Sequence, residues 1–443
     1  VKIRSVVAAI ATGALALTVS GCGSGGGGGD SDAAGGGSGS QTLTYWASNQ
    51  GTSIKHDKEV LTPQLKKFEE KTGISVELEV IGWDSLQTRI QTAITSGQAP
   101  DVVNIGNTWA ASLQATGAFL PFDDNAMSAI GGADKFVEPA LATGGAEGQP
   151  VTSVPLYGLA YGLFYNKAMF EEAGIEPPST YKDMVAAAEK LTDTKAGVHG
   201  LALAAGSYTE NSHFAFINAV QNGAELFDDQ GQPTFSSDGV VKGIHRYLDL
   251  MQKHEVADTS NAQYTNGVQA VNDFAKGKVA MVISQNNAGS SIEAQGMKPD
   301  QWGVVPYPAP AGGEEIASHV AGINLSIFKN TENKEGALKF VKFMTSPEVQ
   351  KAVSSEFKTL PVLKDAEPTF SKKEEASKMF QNIYNNMSAP LPLVPAEDQF
   401  ESSVGQAMNK MFATIATGGT VTLEDVRVAM ETAEQQVAAS SGS

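Results

Sequence analysis

Five segments near the start of the folded body alternate between two periodicities, and that alternation restricts the architecture more than any other feature of the chain. Leu43 to Trp46 is a short apolar strand, followed by a helical pattern with Leu61, Leu65 and Phe68 on one face and a stop at Thr72-Gly73. Ile74, Val76, Leu78 and Val80 then alternate with polar residues, Leu86, Ile90, Ala93 and Ile94 mark a second helix closed by Gly97, and Asp101 to Ile105 reads as a buried strand. Strands separated by helices of this length require crossover connections, so the expected fold is α/β with mainly parallel sheets flanked by helices. The folded part exceeds what one ordinary core holds, which predicts two lobes. In open sheets of this kind, ligands sit beyond the carboxyl ends of the strands, where the loops diverge. The loops so marked carry Ser48-Asn49-Gln50, Gly82-Trp83-Asp84 and Gly106-Asn107-Thr108-Trp109.

The N-terminal region reads as an export address. Lys2 and Arg4 precede an apolar run from Val6 to Val19, and Val19-Ser20-Gly21-Cys22 follows at once. The run falls short of the roughly 20 residues that span a bilayer, so residues 1–21 are expected to be a lipoprotein signal peptide, with Cys22 as the lipidated residue. Residues 22–40 form the expected tether: Gly23 to Ser40 contains only Gly, Ser, Ala and Asp, which offer nothing to bury. Such a chain has a root-mean-square span of roughly 23 Å. Cys22 is the single cysteine, so one copy can build no disulfide and no cysteine-based metal site. The formal charge of −18 makes nucleic acid and anionic lipid poor partners. Membrane contact is expected only through the lipid on Cys22, on the outer face of the cell membrane.

Familiar catalytic signatures are missing. The chain lacks His-Glu-x-x-His, Gly-x-Ser-x-Gly and a Walker-type Gly-Lys-Ser/Thr, and Asp228-Asp229-Gln230-Gly231 lacks the alternating carboxylates of a calcium loop. No enzyme activity, metal or cofactor is therefore expected. A lipid-anchored glycoside hydrolase remains the alternative of a different class, because two carboxylates at the right separation leave no sequence signature.

A resemblance enters at Gly148-Gln149-Pro150-Val151-Thr152-Ser153-Val154-Pro155, followed by Leu163-Phe164-Tyr165-Asn166-Lys167. Together with Phe68-Glu69-Glu70-Lys71-Thr72-Gly73-Ile74, Ala99-Pro100-Asp101-Val102-Val103, Gly117-Ala118-Phe119-Leu120 and the run Ala337 to Met344, this resembles the sugar-binding proteins of ABC importers, extracellular solute-binding family 1, which includes the maltose-binding proteins. The resemblance implies a type II periplasmic-binding-protein-like fold with a hinge and an interlobe cleft. Its expected N-terminal lobe comprises residues 41–154 plus 323–362, and its C-terminal lobe residues 155–322 plus 363–443. The crossings are expected near Val154, Gly322 and Leu363.

The implied function is capture of a carbohydrate, a di- or oligosaccharide, for delivery to a membrane permease by a monomeric carrier. A polyol or other small solute is the alternative cargo. A sugar wants aromatic rings against its C–H faces and amide, carboxylate or indole partners for its hydroxyls. Trp83 and Trp109 are the expected stacking rings, and Asn49, Gln50 and Asn107 the expected amide contacts. Tyr157 stands where the family often has a smaller residue and is preferred over Tyr161 as a ligand contact. In the second lobe the resemblance points to Tyr208 and His213, with Gln285 and Asn286 after the Val279 strand and Asn324 after the second crossing.

Overall fold

The computed structural model describes residues 42–367, 370 and 373–441; the signal peptide, Cys22 and tether assigned to residues 1–40 lie outside them. The first alternation folds as β1 (Thr42–Ser48), a helix α1 (Ile54–Thr72), β2 (Ser75–Ile81), a helix α2 (Trp83–Ser96) and β3 (Val102–Gly106). Ser53 caps α1 by accepting from the His56 N–H, and Gly73 ends it in the left-handed conformation at φ 73°. That position favours a residue without Cβ. Gly97 does the same for α2 at φ 71°. Leu61, Leu65 and Phe68 are the buried face of α1, as their spacing demands.

The chain continues through β4 (Ser153–Leu159), β5 (Tyr161–Asn166), β6 (His199–Ala202), β7 (Val279–Gln285), β8 (Trp302–Val305), β9 (Ser318–His319), β10 (Ala321–Ile327) and β11 (Ser388–Ala389). These strands form a five-stranded sheet of order β2-β1-β3-β10-β4, a four-stranded sheet of order β6-β7-β5-β8, and a small β11-β9 pair. The larger sheet belongs to the N-terminal lobe and the four-stranded sheet to the C-terminal lobe.

The sheets are mixed rather than mainly parallel. Pairs β1–β2, β1–β3 and β6–β7 are parallel, whereas β10 runs antiparallel to both β3 and β4, and β5 antiparallel to both β7 and β8. The reason lies in the crossings. A strand that enters one lobe from the other has no helical crossover to reverse it, so it runs back along its neighbour.

A first crossing, from the five-stranded to the four-stranded sheet, falls at Ala160 between β4 and β5. Val320, between β9 and β10, is the second, close to Gly322. Leu363 still bridges to Phe136 of the N-terminal lobe, and the Lys364 N–H donates to the Lys135 carbonyl. By Lys373 the chain is on the other lobe, its ammonium donating to the Trp302 carbonyl at 2.7 Å. The third crossing therefore follows Lys364.

Each lobe has an aromatic centre. In the first, Tyr45 and Phe68 meet Phe340 edge-on at ring separations of 5.0 and 5.3 Å. On the opposite face of that sheet, Leu86, Ile90, Ile105 and Trp109 form a second cluster. In the other lobe, Phe164 packs on Trp302 at 5.3 Å and Phe214 stacks on Tyr247 at 5.0 Å. Buried rings of this size carry much of the hydrophobic stabilisation of a core.

Candidate ligand-binding site

The loop after β1 is shaped by one carboxylate. Asp57, buried near the start of α1, accepts from the Gln50 N–H at 2.7 Å, the Gly51 N–H at 3.1 Å and the Asn49 side-chain amide at 2.5 Å. Burial holds its pKa above the usual carboxylate value even though these bonds pull the other way. Asn49 thus spends its amide on organising the loop. Gln50 is different: it is 6% exposed, and its Oε1 finds no partner among the described residues.

Two further loops complete the N-terminal wall. Trp83 opens α2 with 38% of its surface exposed and meets Trp109 edge-on at 5.6 Å. Trp109 is buried against the second cluster, so Trp83 presents the free ring of the pair. The Asn107 side-chain amide donates to the Val320 carbonyl at 2.8 Å, which ties the β3 loop to the second crossing. Residues 107–115 also pack against the helix Glu397–Ala416 of the other lobe.

That helix contributes the most unusual chemistry of the molecule. Glu397 and Glu401, one turn apart, are 1% and 2% exposed. Facing them, the helix Tyr208–Gln221, capped by Ser207, delivers His213. The His213 ring meets the Tyr161 hydroxyl through Nδ1 at 2.9 Å and a Glu401 oxygen through Nε2 at 3.2 Å. The Tyr161 hydroxyl donates to Glu210 at 2.8 Å. Since that hydroxyl has one proton, the Nδ1 of His213 is the donor in their bond, and its Nε2 faces Glu401. His319 stacks 4.1 Å from His213, and its Nδ1 has no partner among the described residues.

Neither oxygen of Glu397 has a partner among the described residues. Burial first, then the charges of Glu401 and Asp398, push its carboxyl well above the usual range. It bonds Glu401 only with a proton between the two, because ionised carboxylates are acceptors alone. Burial also raises the Glu210 carboxyl, and burial together with His213 holds the His319 ring well below an ordinary imidazole. Among the described residues no Lys or Arg pairs with Glu210, Glu397 or Glu401, and no group of three or more His, Cys, Asp or Glu has a metal-holding arrangement.

The remaining candidates from the sequence lie elsewhere. Tyr157 is buried in the N-terminal lobe with its hydroxyl on Ser48, while Tyr161, first residue of β5, reaches the cluster. The register explains it, because Tyr157 precedes the crossing at Ala160 and pairs with Ile323 inside the five-stranded sheet. Asn286 is a clasp. Its Oδ1 accepts from the Ala160 N–H at 2.7 Å and its amide donates to the Lys358 carbonyl at 2.5 Å. Asn324 donates to Ser153 Oγ at 2.9 Å and the Thr143 carbonyl at 3.1 Å, within one lobe. Gln285 is half-buried at the end of β7, paired with Tyr161. Tyr208, at its helix start, is 37% exposed.

Residues 53–351 match the family model of bacterial extracellular solute-binding proteins. The chain belongs to that family. The binding protein is 25% identical over 300 residues to the multiple sugar-binding protein of Streptococcus mutans, a match covering 66% of this chain and 69% of that one. Its fold superposes with a TM-score of 0.75 on an ABC transporter solute-binding protein of Thermotoga lettingae bound to α-D-tagatose, at 26% identity over 89% of this chain and 99% of the other. A solute-binding protein of Agrobacterium vitis with bound D-mannitol gives 0.72 at 23% identity over 90% and 98%, a likeness of fold alone. The two-lobe, type II architecture of the binding protein is thus that of its solved relatives.

Glu210, Glu397, Glu401 and His319 were not singled out from sequence. Phe400, Val404 and Met408 mark a buried helical face, and Glu397 and Glu401 fall on the same stripe. Acids interrupting an apolar stripe are costly to bury and were the available signal.

Proposed function

We propose that this binding protein is the solute-capturing component of an ABC importer, that it closes on a carbohydrate or polyol between its lobes, and that a lipid on Cys22 holds it at the outer face of the membrane. The observation that carries the reading is a pair of buried, poorly satisfied side chains: Glu397, which meets only another carboxyl, and Gln50, whose Oε1 meets no donor among the described residues. Buried polar groups in folded proteins are almost always hydrogen-bonded. A guest rich in hydroxyls supplies the missing donors, and Trp83 offers an open ring for a C–H face. Contacts from both lobes favour the closed state, which is all that capture requires. Lobes built from residues 42–159 with 321–364, and 161–319 with 373–441, would swing about the three crossings.

The relatives support the cargo class through the sugar, tagatose and mannitol named for them. Grip without bond-breaking suffices, and the protein is expected to act as a monomer that returns its guest unchanged. A thermal-shift panel of mono-, di- and oligosaccharides and polyols tests this. A ligand at 100 times its Kd adds about 2.7 kcal/mol of stability. Response to another solute class and to none of these would overturn the cargo, and chromatographic loss of an oligosaccharide on incubation would overturn the carrier role. For the anchor, Cys22→Ser should move the protein from the membrane to the soluble fraction.

A further inference from the structure

The cluster around Glu397 is short of positive charge, and that shortage bears on what the cleft holds. Glu397 and Glu401 lie side by side at 1% and 2% exposure. His213 contacts Glu401, and the pair is ionic only when that imidazole is protonated. The second imidazole, His319, is buried, stacked on His213 and 5.6 Å from the Tyr161 ring, and its Nδ1 has no partner among the described residues. It does not supply a cation, because burial and the neighbouring imidazole keep it neutral. Asp398 adds to the negative field at Glu397. One carboxyl is left over, and its hydrogen bond to Glu401 exists only with a proton between the two.

A buried carboxylate without a partner is too costly to persist, so the group either keeps a proton or meets a cation. A neutral hydroxyl gives it one hydrogen bond and leaves the charge uncompensated. An ammonium brings a full positive charge and up to three donors into the same space, and such charge-assisted bonds are about twice as strong as neutral ones. We infer that the guest carries a basic nitrogen, an amino sugar or amino polyol, whose ammonium is held by Glu397 and Glu401. This rests on the reading of the cleft as a carbohydrate or polyol site and narrows it.

Matched probes that differ only in the substituent test the inference: glucosamine, N-acetylglucosamine and glucose; the chitosan disaccharide, diacetylchitobiose and cellobiose; and 1-amino-1-deoxysorbitol with sorbitol. Calorimetry and thermal shift on the mature chain at neutral pH should show, in the set that fits, the amine binding on the order of thirtyfold more tightly than its neutral partners. Glu397→Gln keeps the shape of the side chain and should lower affinity for the amine far more than for the neutral partner. Neutral members that bind as well as the amine in every responding set, or an amine preference that survives Glu397→Gln, would overturn the inference while leaving the carbohydrate reading intact. Silence from every probe, charged or neutral, would count against that reading itself and take this inference with it.

Discussion

Replacing Asn286 by alanine probes how the crossings are held together. Its side chain joins the first crossing to the segment that leads to the third, through the bonds to the Ala160 N–H and the Lys358 carbonyl. Alanine leaves that donor and that acceptor buried without partners. Each unmet group costs about 1–3 kcal/mol, so the loss for the two should total about 2–6 kcal/mol. Unfolding entropy near 2.1 cal/mol/K per residue gives about 0.8 kcal/mol/K for about 400 residues, so Tm should fall by about 2–7 °C. Differential scanning calorimetry of the ligand-free mature chain measures this directly. Asn286→Asp sharpens it: the carboxylate still accepts from Ala160 but faces the Lys358 carbonyl with a second acceptor. It should be at least as damaging as alanine at neutral pH, with partial relief in acid, where a protonated carboxyl donates again. A Tm shift below about 1 °C for Asn286→Ala would refute the clasp, since no real unmet pair costs so little.

Further expectations follow from the site and the core. Glu397→Gln should raise the Tm of the ligand-free protein at neutral pH and not below about pH 4. The folded state holds a proton on Glu397 that the unfolded chain has released above the ordinary value of 4.5, so the wild type loses stability as pH rises through that window and glutamine does not; equal Tm differences at both pH values would argue against it. Trp83→Ala should change stability by no more than about 0.5 kcal/mol but weaken a sugar ligand by roughly 0.5–1.5 kcal/mol in calorimetry; loss of Tm with affinity intact would make the ring a packing residue. Gly405→Ala places a Cβ 2.0 Å from the Tyr208 carbonyl oxygen and should separate the two helices, seen as a lower Tm and weaker binding together. Phe340→Ala empties the space between Tyr45 and Phe68 and should cost about 3–5 kcal/mol in urea unfolding.

What could be read from the sequence followed the reach of its signals. The β1–α1–β2–α2–β3 run was legible because periodicity and the stops at Gly73 and Gly97 act over a few residues. The place of β10 between β3 and β4 was not, because its partners are far away along the chain and no local pattern records a pairing. His213 was found through its position in a resemblance, whereas Glu397 and Glu401 were hidden inside a stripe read as apolar. Asn286 and Asn324 show a different difficulty. An asparagine beyond a strand looks the same in sequence whether its amide reaches a guest or a backbone carbonyl, and only the neighbouring chain decides.

The central position of β10 has an effect on timing. The N-terminal sheet is divided between β3 and β4 until residues 321–327 arrive, so everything from β5 to β9 must be made first. Pairing across such sequence distance is slow, because the loop must close before any contact rewards it. A nascent chain of this design therefore stays open in its first half until that late segment has been made.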